Sequence, residues 1–317
     1  MKHVVEKHPS TVVGSSYRPK MSGIARMERN WGVLFALPAI LGFIIFVFGP
    51  MVASLIFSIT DWNIGADVHF IGLDNYQKMA TGDPLFSKSL FVTLYYTLGS
   101  VPLGILASFL IAMLLNQKVR GLPFFRTIYY LPVLVPSIAN SMLWLWLFNP
   151  DFGLFNSMLR SIGLSGSQWI YSETAAIPSL ILMSTWGVGN AAVIFLAGLQ
   201  GVPGHLYEAV EVDGGGMLRK FWHVTLPSMT PTIFFNIIMG MIGTLQVFDQ
   251  AYVMTNGGPN NSTLFYIFYL YRKAFAEAQM GYAAALAWVL FLIIMALTAL
   301  VFRSSRFWVY YEGEGKT

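Results

Sequence analysis

The chain has 317 residues, of which 56% are hydrophobic and only 11% are charged. Because a typical soluble domain carries about 25% charged residues, this composition excludes an ordinary soluble domain and indicates a chain solvated by lipid. There is no cysteine, which excludes disulfides, Cys-ligated zinc and thiol catalysis. The five histidines are scattered, without the spacing of a metal site.

The first 30 residues form a polar, basic segment, which we expect to be a partly disordered tail. The first apolar run begins near Trp31. It is too long for the core of a signal peptide and lacks a small-residue cleavage site. We therefore predict a retained first membrane span.

Six apolar runs reach the length of about 20 residues that a helix needs to cross a bilayer. Because irregular backbone cannot face lipid, all six should be helices. The sequence therefore predicts an all-α membrane protein, with a six-helix domain at 31–303 and a C-terminal tail at 304–317. The predicted spans are 33–58, 90–115, 124–148, 177–199, 232–254 and 282–302. The prolines within them are expected to kink the helices without removing a span; they are Pro38, Pro50, Pro102, Pro132 and Pro136.

The basic residues predict the orientation of these spans. The two tails and the loops near 116–126 and 201–227 together carry 14 of the 19 Lys and Arg residues. Since cytoplasmic loops carry the excess of Lys and Arg, both tails and both loops should be cytoplasmic. The remaining loops, 59–89, 149–176 and 255–281, should then lie outside. The second of these should contain a short amphipathic helix within 152–164, and Trp169, Tyr171 and Tyr252 are expected to anchor at the membrane interface.

The 201–227 loop is a polar island between two apolar runs. Pro203 stands where a helix can begin, and the apolar residues after it follow helical spacing. Three glycines at 214–216 should then break the helix. A second short turn should follow over 217–224 and end at Pro227. A helix, a glycine bend and a second helix would suit docking into a groove on another protein.

Glu208, Ala209, Gly214, Leu226 and Pro227 occupy this loop at a fixed spacing. The pattern resembles the EAA loop of permease subunits of ABC (ATP-binding cassette) importers, and Asp213 and Phe221 match further frequent positions. The sequence departs from the pattern at Val210, Gly215 and Val224, and Gly215 is expected to loosen the bend.

The resemblance implies a MetI-like permease of a type I importer, in the bacterial or archaeal inner membrane. The loop would be the coupling helix that docks in a cytosolic ATPase, with Glu208 as a contact and Gly214 as a hinge. The implied partners are a second homologous permease, two cytosolic ATP-binding subunits and an extracytoplasmic solute-binding protein. ATP and magnesium would bind to the ATPase subunits, since this chain has no P-loop sequence. No catalytic, metal or nucleic-acid site is expected in it.

Two further segments resemble the sugar class of these permeases. The segment 70–76 looks like its F-x-G-x-x-N-Y motif, and the segment 246–263 looks like the stretch after its fifth span. The chain is similar to MalF-type subunits without their large external domain. The resemblance implies import of a sugar or oligosaccharide by alternating access.

Polar residues inside a span are costly unless they face a cavity or a neighbouring helix. An amide and an aromatic ring suit a neutral sugar, whereas packing between helices is the equally weighted alternative. The predicted solute contacts lie in the fourth and fifth spans; they are Ser184, Trp186, Gly187, Asn190, Thr244 and Gln246.

Three other functions fit the sequence less well. A glycerol phosphodiester importer would need cations in the solute path, and only Arg272 and Lys273 in an outer loop offer them. An intramembrane enzyme would need a catalytic constellation at membrane depth, and none is present. A secondary transporter would normally show inverted repeats or intramembrane carboxylates, and it would leave the 201–227 loop unexplained.

Overall fold

The computed structural model describes residues 23–117 and 120–310, except the side chains of 24–26 and 29. In these ranges the regular structure is helical, apart from one isolated β-bridge between Thr60 and Phe70. The predicted all-α fold class is therefore confirmed. The expectation of a partly disordered tail at 1–30 falls mostly outside the described residues, and so does the second half of the C-terminal tail, from residue 311 on.

The chain divides into two compact units, and the first ends at Ser54. Its helix consists of α1 (Gly23–Phe43), a π-helical turn (Ile44–Phe48) and α2 (Gly49–Phe57), which continues into the second unit. Pro38 lies inside α1 without ending it. Within this helix, Asn30–Phe57 is long and apolar enough to cross a membrane.

The second unit begins at Leu55 and contains the remaining helices. These are α3 (Asp74–Thr81), α4 (Pro84–Leu115), α5 (Leu122–Tyr130), α6 (Ser137–Leu147), α7 (Leu154–Ser161), α8 (Ala176–Ser184), α9 (Gly189–Gly201), α10 (Gly204–Val212), α11 (Met217–Lys220), α12 (Leu226–Leu245), α13 (Tyr266–Tyr271) and α14 (Met280–Trp308). The short α7 agrees with the predicted amphipathic helix within 152–164.

The long helix α4 is the centre of the second unit, where it packs against α8, α9 and α12. Asp83 caps its first turn, and Pro84 begins it without the loss of a backbone hydrogen bond. One side of α4 presents a row of hydroxyl groups to the neighbouring helices. The buried members are Ser89, Thr93, Thr97, Ser100 and Ser108.

The third and fourth predicted spans are each broken into two pieces. The chain turns by 98° between Leu122–Leu134 and Ser137–Leu147, and by 49° between Ala176–Gly187 and Gly189–Gly201. The first break is larger than the kink expected from the prolines. Val135 is extended because the ring of Pro136 disfavours helical backbone in the residue before it. The described residues thus contain four long spans, or six when each bent pair is counted as one span.

The fifth span begins earlier and ends earlier than the predicted 232–254. A continuous helical segment runs over Met217–Leu245, and Gln246 caps its end. The apolar residues that follow do not extend this helix; Ala251 and Met254 turn into the buried core instead. The last helix also runs past its predicted end at 302, to Trp308.

Two buried clusters lie at opposite ends of α4. One contains Phe109 and Leu115 of α4 together with Phe195 and Met229, and Phe221 of the 201–227 loop packs against it. We call this the loop end of the bundle. The other cluster surrounds Tyr96 and the first turns of α4, and we call its side the opposite end. Its fully buried aromatic residues are Phe148, Phe265, Tyr266, Phe268 and Tyr269.

Candidate functional site

The first half of the 201–227 loop has the predicted form. Helix α10 begins directly after Pro203 and ends at Val212, and the glycines follow as a bend. Gly214 has a φ of +73°, in the left-handed region that strains a residue with a Cβ. Its N–H donates to the carbonyl of Glu211 at 2.9 Å. A glycine is therefore required at this point of the bend.

The second half of the loop corrects the prediction. Residues 217–224 are not an isolated turn that ends at Pro227: α11 continues through a π-helical turn (Phe221–Thr225) into α12. Pro227 follows directly after this π-helical turn and does not interrupt the helical segment. Consequently one continuous helical segment connects the bend to Leu245.

Gly215 tightens the bend, contrary to the expected loosening. It is buried, and its N–H donates to the carbonyl oxygen of Val210 at 2.8 Å. A Cβ at this glycine would lie 2.8 Å from that same oxygen and 3.0 Å from Cδ of Arg219. An alanine, which is frequent at this position in the EAA loop pattern, would not fit without a shift of the backbone.

An ion pair closes the loop across the bend. Nζ of Lys220 donates to Oε2 of Glu211 at 2.7 Å. This hydrogen bond and the positive charge hold the pKa of the Glu211 carboxyl below its ordinary value. Tyr207 adds a second link, because its hydroxyl lies 3.1 Å from Oγ1 of Thr225.

The seven loop residues singled out in the sequence fall into two groups. The exposed residues are Glu208, Ala209, Asp213 and Gly214, and the partly buried ones are Phe221, Leu226 and Pro227. The ring of Phe221 lies 6.3 Å from that of Phe109 on α4. The first group is available to a partner surface, whereas the second group holds the loop to the bundle.

Four exposed apolar side chains of the loop were missed by sequence reasoning. Val212 and Met217 are each 87% exposed, Leu218 is 77% exposed and Trp222 is 60% exposed. We call these four residues the apolar rim. Large exposed apolar groups clustered in a polar loop indicate a protein contact. The signal was present in the sequence, but the apolar residues after Pro203 were considered there only as evidence of helical spacing.

A central cavity of about 570 Å³ lies between α4, α9 and α12. Three of the six predicted solute residues line it: Ser184, Asn190 and Thr244. Sequence reasoning missed Ser100, Tyr130 and Asn236, which also line it. Tyr130 lies at the end of α5, on the first half of the broken third span, and its contribution to the cavity depends on how this helix packs against α9 and α12.

Two hydroxyl groups that line the cavity already donate hydrogen bonds to backbone carbonyls of their own helices. Thr244 donates to the carbonyl of Gly240 at 2.9 Å, and Ser184 donates to that of Ile181 at 2.6 Å. Their oxygens remain acceptors toward the cavity. In contrast, Oγ of Ser100 is buried and has no hydrogen-bond partner among the described residues.

The other three predicted residues do not line the cavity. Trp186 is 51% exposed and packs edge-to-face on Trp144. Gly187 faces open space, since a Cβ at this position would have no neighbour within 4 Å, and Gln246 is exposed at the end of α12. The structure thus brings together one half of the predicted set.

At the opposite end, Asp83 organises a hydrogen-bonded network. One carboxylate oxygen accepts from the amides of Leu85 and Phe86, and the other accepts from the hydroxyls of Tyr269 and Tyr282. Burial acts to raise the pKa of Asp83, but these hydrogen bonds outweigh it and the pKa is lowered overall. This network is structural, because it joins the starts of α4 and α14 through α13.

The interface aromatics predicted from the sequence have different environments. Tyr171 and Tyr252 are about half exposed, as anchoring residues would be. Trp169 is partly buried against Phe148 and Phe155, and its indole N–H donates to Asn156 at 2.8 Å. No group of three or more potential metal ligands occurs in the part of the chain that the structure describes.

Comparison with known proteins gives one family. Residues 100–307 match the family described as "Binding-protein-dependent transport system inner membrane component". The probable ABC transporter permease protein YesP of Bacillus subtilis is 39% identical over 299 residues, covering 93% of this chain and 96% of YesP. The diacetylchitobiose uptake system permease protein NgcF of Streptomyces coelicolor is 35% identical over 289 residues, covering 86% and 82%.

Among solved structures, the fold is similar to a chain of a bacterial ABC transporter involved in the import of the acidic polysaccharide alginate. The TM-score is 0.77 at 23% identity, and the match covers 89% of this chain and 97% of that one. At this identity the likeness concerns the fold.

Proposed function

We propose a specific transport role for this chain, which belongs to the family of binding-protein-dependent transport system inner membrane components. As an ABC importer permease subunit it is not an enzyme. In the proposed role it pairs with a second homologous permease and with two cytosolic ATP-binding subunits, which bind ATP and magnesium. An extracytoplasmic solute-binding protein delivers the solute. The match of residues 100–307 to the family carries this proposal.

The proposed orientation places the loop end in the cytoplasm, together with both termini. It rests on the excess of Lys and Arg in the tails and the two loops at that end. The exposed Arg303 and Arg306 at the end of α14 lie on the same side. Lys78 and Lys273 then lie outside.

The proposed coupling element is the 201–227 loop. Its apolar rim and the exposed Glu208 enter a cleft of an ATPase subunit, as an amphipathic helix enters a groove. Because α11 and α12 form one continuous segment, closure of the ATPases displaces α12 together with α11. Since α12 lines the central cavity, this movement alternately exposes the cavity to the two sides of the membrane.

The proposed solute is a carbohydrate, either a sugar or an oligosaccharide. The name of NgcF assigns diacetylchitobiose uptake to that relative, and the central cavity offers matching chemistry. It combines hydroxyl and amide groups with the aromatic rings of Tyr130 and Phe235, and no charged residue is among its described lining residues. A neutral polyhydroxyl solute satisfies such groups without an unpaired charge.

The alternative, a glycerol phosphodiester, finds less support. An anionic solute needs a cation in its path, and the described lining of the central cavity contains none. Lys273 of the outer segment is paired with Glu277 at 2.6 Å. The phosphate of such a solute would therefore meet no positively charged side chain among the described residues of the central cavity.

The test is uptake of radiolabelled sugars into proteoliposomes that contain the whole complex, the binding protein and internal ATP. We expect at least one neutral sugar or oligosaccharide to accumulate, and sn-glycerol-3-phosphate and its diesters not to accumulate. Accumulation of the phosphate compounds alone would overturn the assignment to carbohydrates and leave the family assignment intact.

A further inference from the structure

A polar pocket of about 320 Å³ lies at the opposite end, far along the bundle from the 201–227 loop. We call it the outer pocket. It lies between the loop 61–63, helix α3 and the first turn of α14, and shares no described lining residue with the central cavity. Neither the proposed coupling nor the proposed solute path uses it.

The walls of the outer pocket are held by backbone contacts. The N–H of Gly281 donates to the carbonyl of Trp62 at 2.9 Å. Nδ2 of Asn75 donates to the carbonyls of Ser58 and Thr60, each at 2.9 Å. These bonds also explain the motif at 70–76 as a structural clamp. The pocket is therefore preformed, as small-molecule sites usually are.

Three polar side chains of the outer pocket lack a matching partner among the described residues. Oε1 of Gln279 is buried and accepts no hydrogen bond. The carboxylate of Asp74 takes part in no hydrogen bond or ion pair there. Nζ of Lys78 lies 4.7 Å from the centre of the Tyr282 ring and also has no carboxylate partner in that part of the chain. The exposed Asp74 and Lys78 thus offer one acceptor and one donor to a ligand, and the unsatisfied Oε1 of Gln279 adds an acceptor within the pocket wall.

A ligand with several hydroxyl groups matches this set, because each hydroxyl both donates and accepts. It can donate to Gln279 and Asp74 while it accepts from Lys78. The indole of Trp62 supplies an aromatic wall, against which the apolar face of a sugar ring can pack. The volume lies at the lower end of small-molecule sites, which begin at about 300 Å³, so one ring fits.

The charges of the outer pocket exclude two other ligand classes. Two carboxylates, Asp61 and Asp74, face one ammonium group, Lys78, so an anionic ligand would meet net repulsion. A divalent cation would lie beside the Lys78 ammonium, and Asp61 is already engaged by the amide of His69 at 2.7 Å. A neutral ligand avoids both conflicts.

We propose that the outer pocket binds one neutral sugar ring, at a site separate from the central cavity. The choice of a neutral hydroxyl-bearing ligand rests on the pocket itself, and the choice of a sugar also rests on the proposed function. In the proposed orientation the pocket opens on the side where solute arrives, so it holds sugar at the entrance without occupying the translocation path.

The experiment is saturation-transfer-difference NMR on the complete complex in lipid nanodiscs, without binding protein or nucleotide. The probes are D-glucose, D-xylose and N-acetyl-D-glucosamine, with D-glucuronate as the anionic probe. The test variant is Gln279→Met, which removes the orphan acceptor at similar volume. Gln77→Met, an exposed position on α3 outside the pocket, is the matched control.

We expect millimolar binding of a neutral probe, weakened about tenfold or more by Gln279→Met since a hydrogen-bond partner is lost, and unchanged by Gln77→Met. Asn190→Leu in the central cavity should leave this signal intact. Should Gln279→Met fail to assemble, Asp74→Asn makes the same test. Equal binding by wild type and pocket variants, no binding of any neutral probe, or preference for glucuronate would each overturn the proposal. If one of these results were obtained and proteoliposomes still accumulated sugar, only the outer-pocket proposal would fail. The proposed function would then stand.

Discussion

The N–H of Gly215 donates to the carbonyl oxygen of Val210 at 2.8 Å, and the same oxygen occupies the space that a Cβ of Gly215 would need. This one contact fixes the end of α10 against the start of α11. It makes the bend of the 201–227 loop a tight joint between a docking helix and the long segment that reaches the central cavity.

The first prediction concerns this joint. Gly215→Ala should strain the bend by about 1–3 kcal/mol, the usual range for overpacking, and raise hydrogen–deuterium exchange over residues 204–220. Gly216→Ala is the matched control, because that glycine has an extended backbone and no atom within 4 Å of its Cβ position. Similar exchange in the two variants would show that the bend relaxes freely, contrary to this account.

The second prediction concerns the junction of α14 with the loop after α2. A Cβ on Gly281 would collide with the carbonyl of Thr60, so Gly281→Ala should lower the melting temperature of the purified complex by several degrees, in line with a loss of about 1–3 kcal/mol. Gly243→Ala meets nothing within 4 Å and should be neutral or slightly stabilising. Equal melting temperatures of the two variants would contradict a tight contact between Gly281 and Thr60.

The third prediction concerns Asp83. Because its folded-state pKa is lowered, its contribution to stability is present above the unfolded pKa of about 3.9 and is lost as the pH falls through the folded value. Asp83→Ala should destabilise the protein at pH 7 by about 0.5–2 kcal/mol through the lost cap alone. The difference between wild type and variant should shrink in acid. Melting curves from pH 7 to pH 3 measure this, and a constant difference would contradict it.

The fourth prediction concerns the unpartnered hydroxyl of Ser100 in the central cavity. Ser100→Ala should leave the melting temperature unchanged or slightly higher, since it removes a buried group without a partner. It should raise KM for uptake about tenfold if the hydroxyl bonds to the solute. Ser108→Ala is the control, because that buried hydroxyl already donates to Gly104 at 2.7 Å. An unchanged KM in Ser100→Ala would remove this residue from the solute path.

The spans and the bend could be predicted because they follow from local rules. Twenty apolar residues in lipid must be helical, and glycines at 214–216 must interrupt α10. The exposed positions of Glu208 and Asp213 followed from the same pattern. These features depend on residues that are neighbours in sequence.

The other features of the fold and of the candidate site depend on contacts between residues that are distant in sequence, and hydrophobic patterns do not encode such contacts. The 98° break at Pro136 requires a packing environment that satisfies the freed backbone groups, and the position of Tyr130 at the central cavity depends on packing between α5, α9 and α12. Gln279 likewise lines the outer pocket because the start of α14 packs against α3, two elements that are distant in sequence. Pro227 was misread for a similar reason: a proline can end one helix or begin the next.

The central claim is that the 201–227 loop couples this permease to ATP hydrolysis. The most direct measurement is binding-protein-stimulated ATPase activity of the reconstituted complex, with Gly214→Asp, which strains the bend, and Leu218→Asp, which charges the apolar rim. Val68→Asp, an exposed apolar position at the opposite end, is the control. We predict that both loop variants lose the stimulation and that the control keeps it. Full stimulation in the loop variants, in complexes that still contain the ATPase subunits, would contradict the claim.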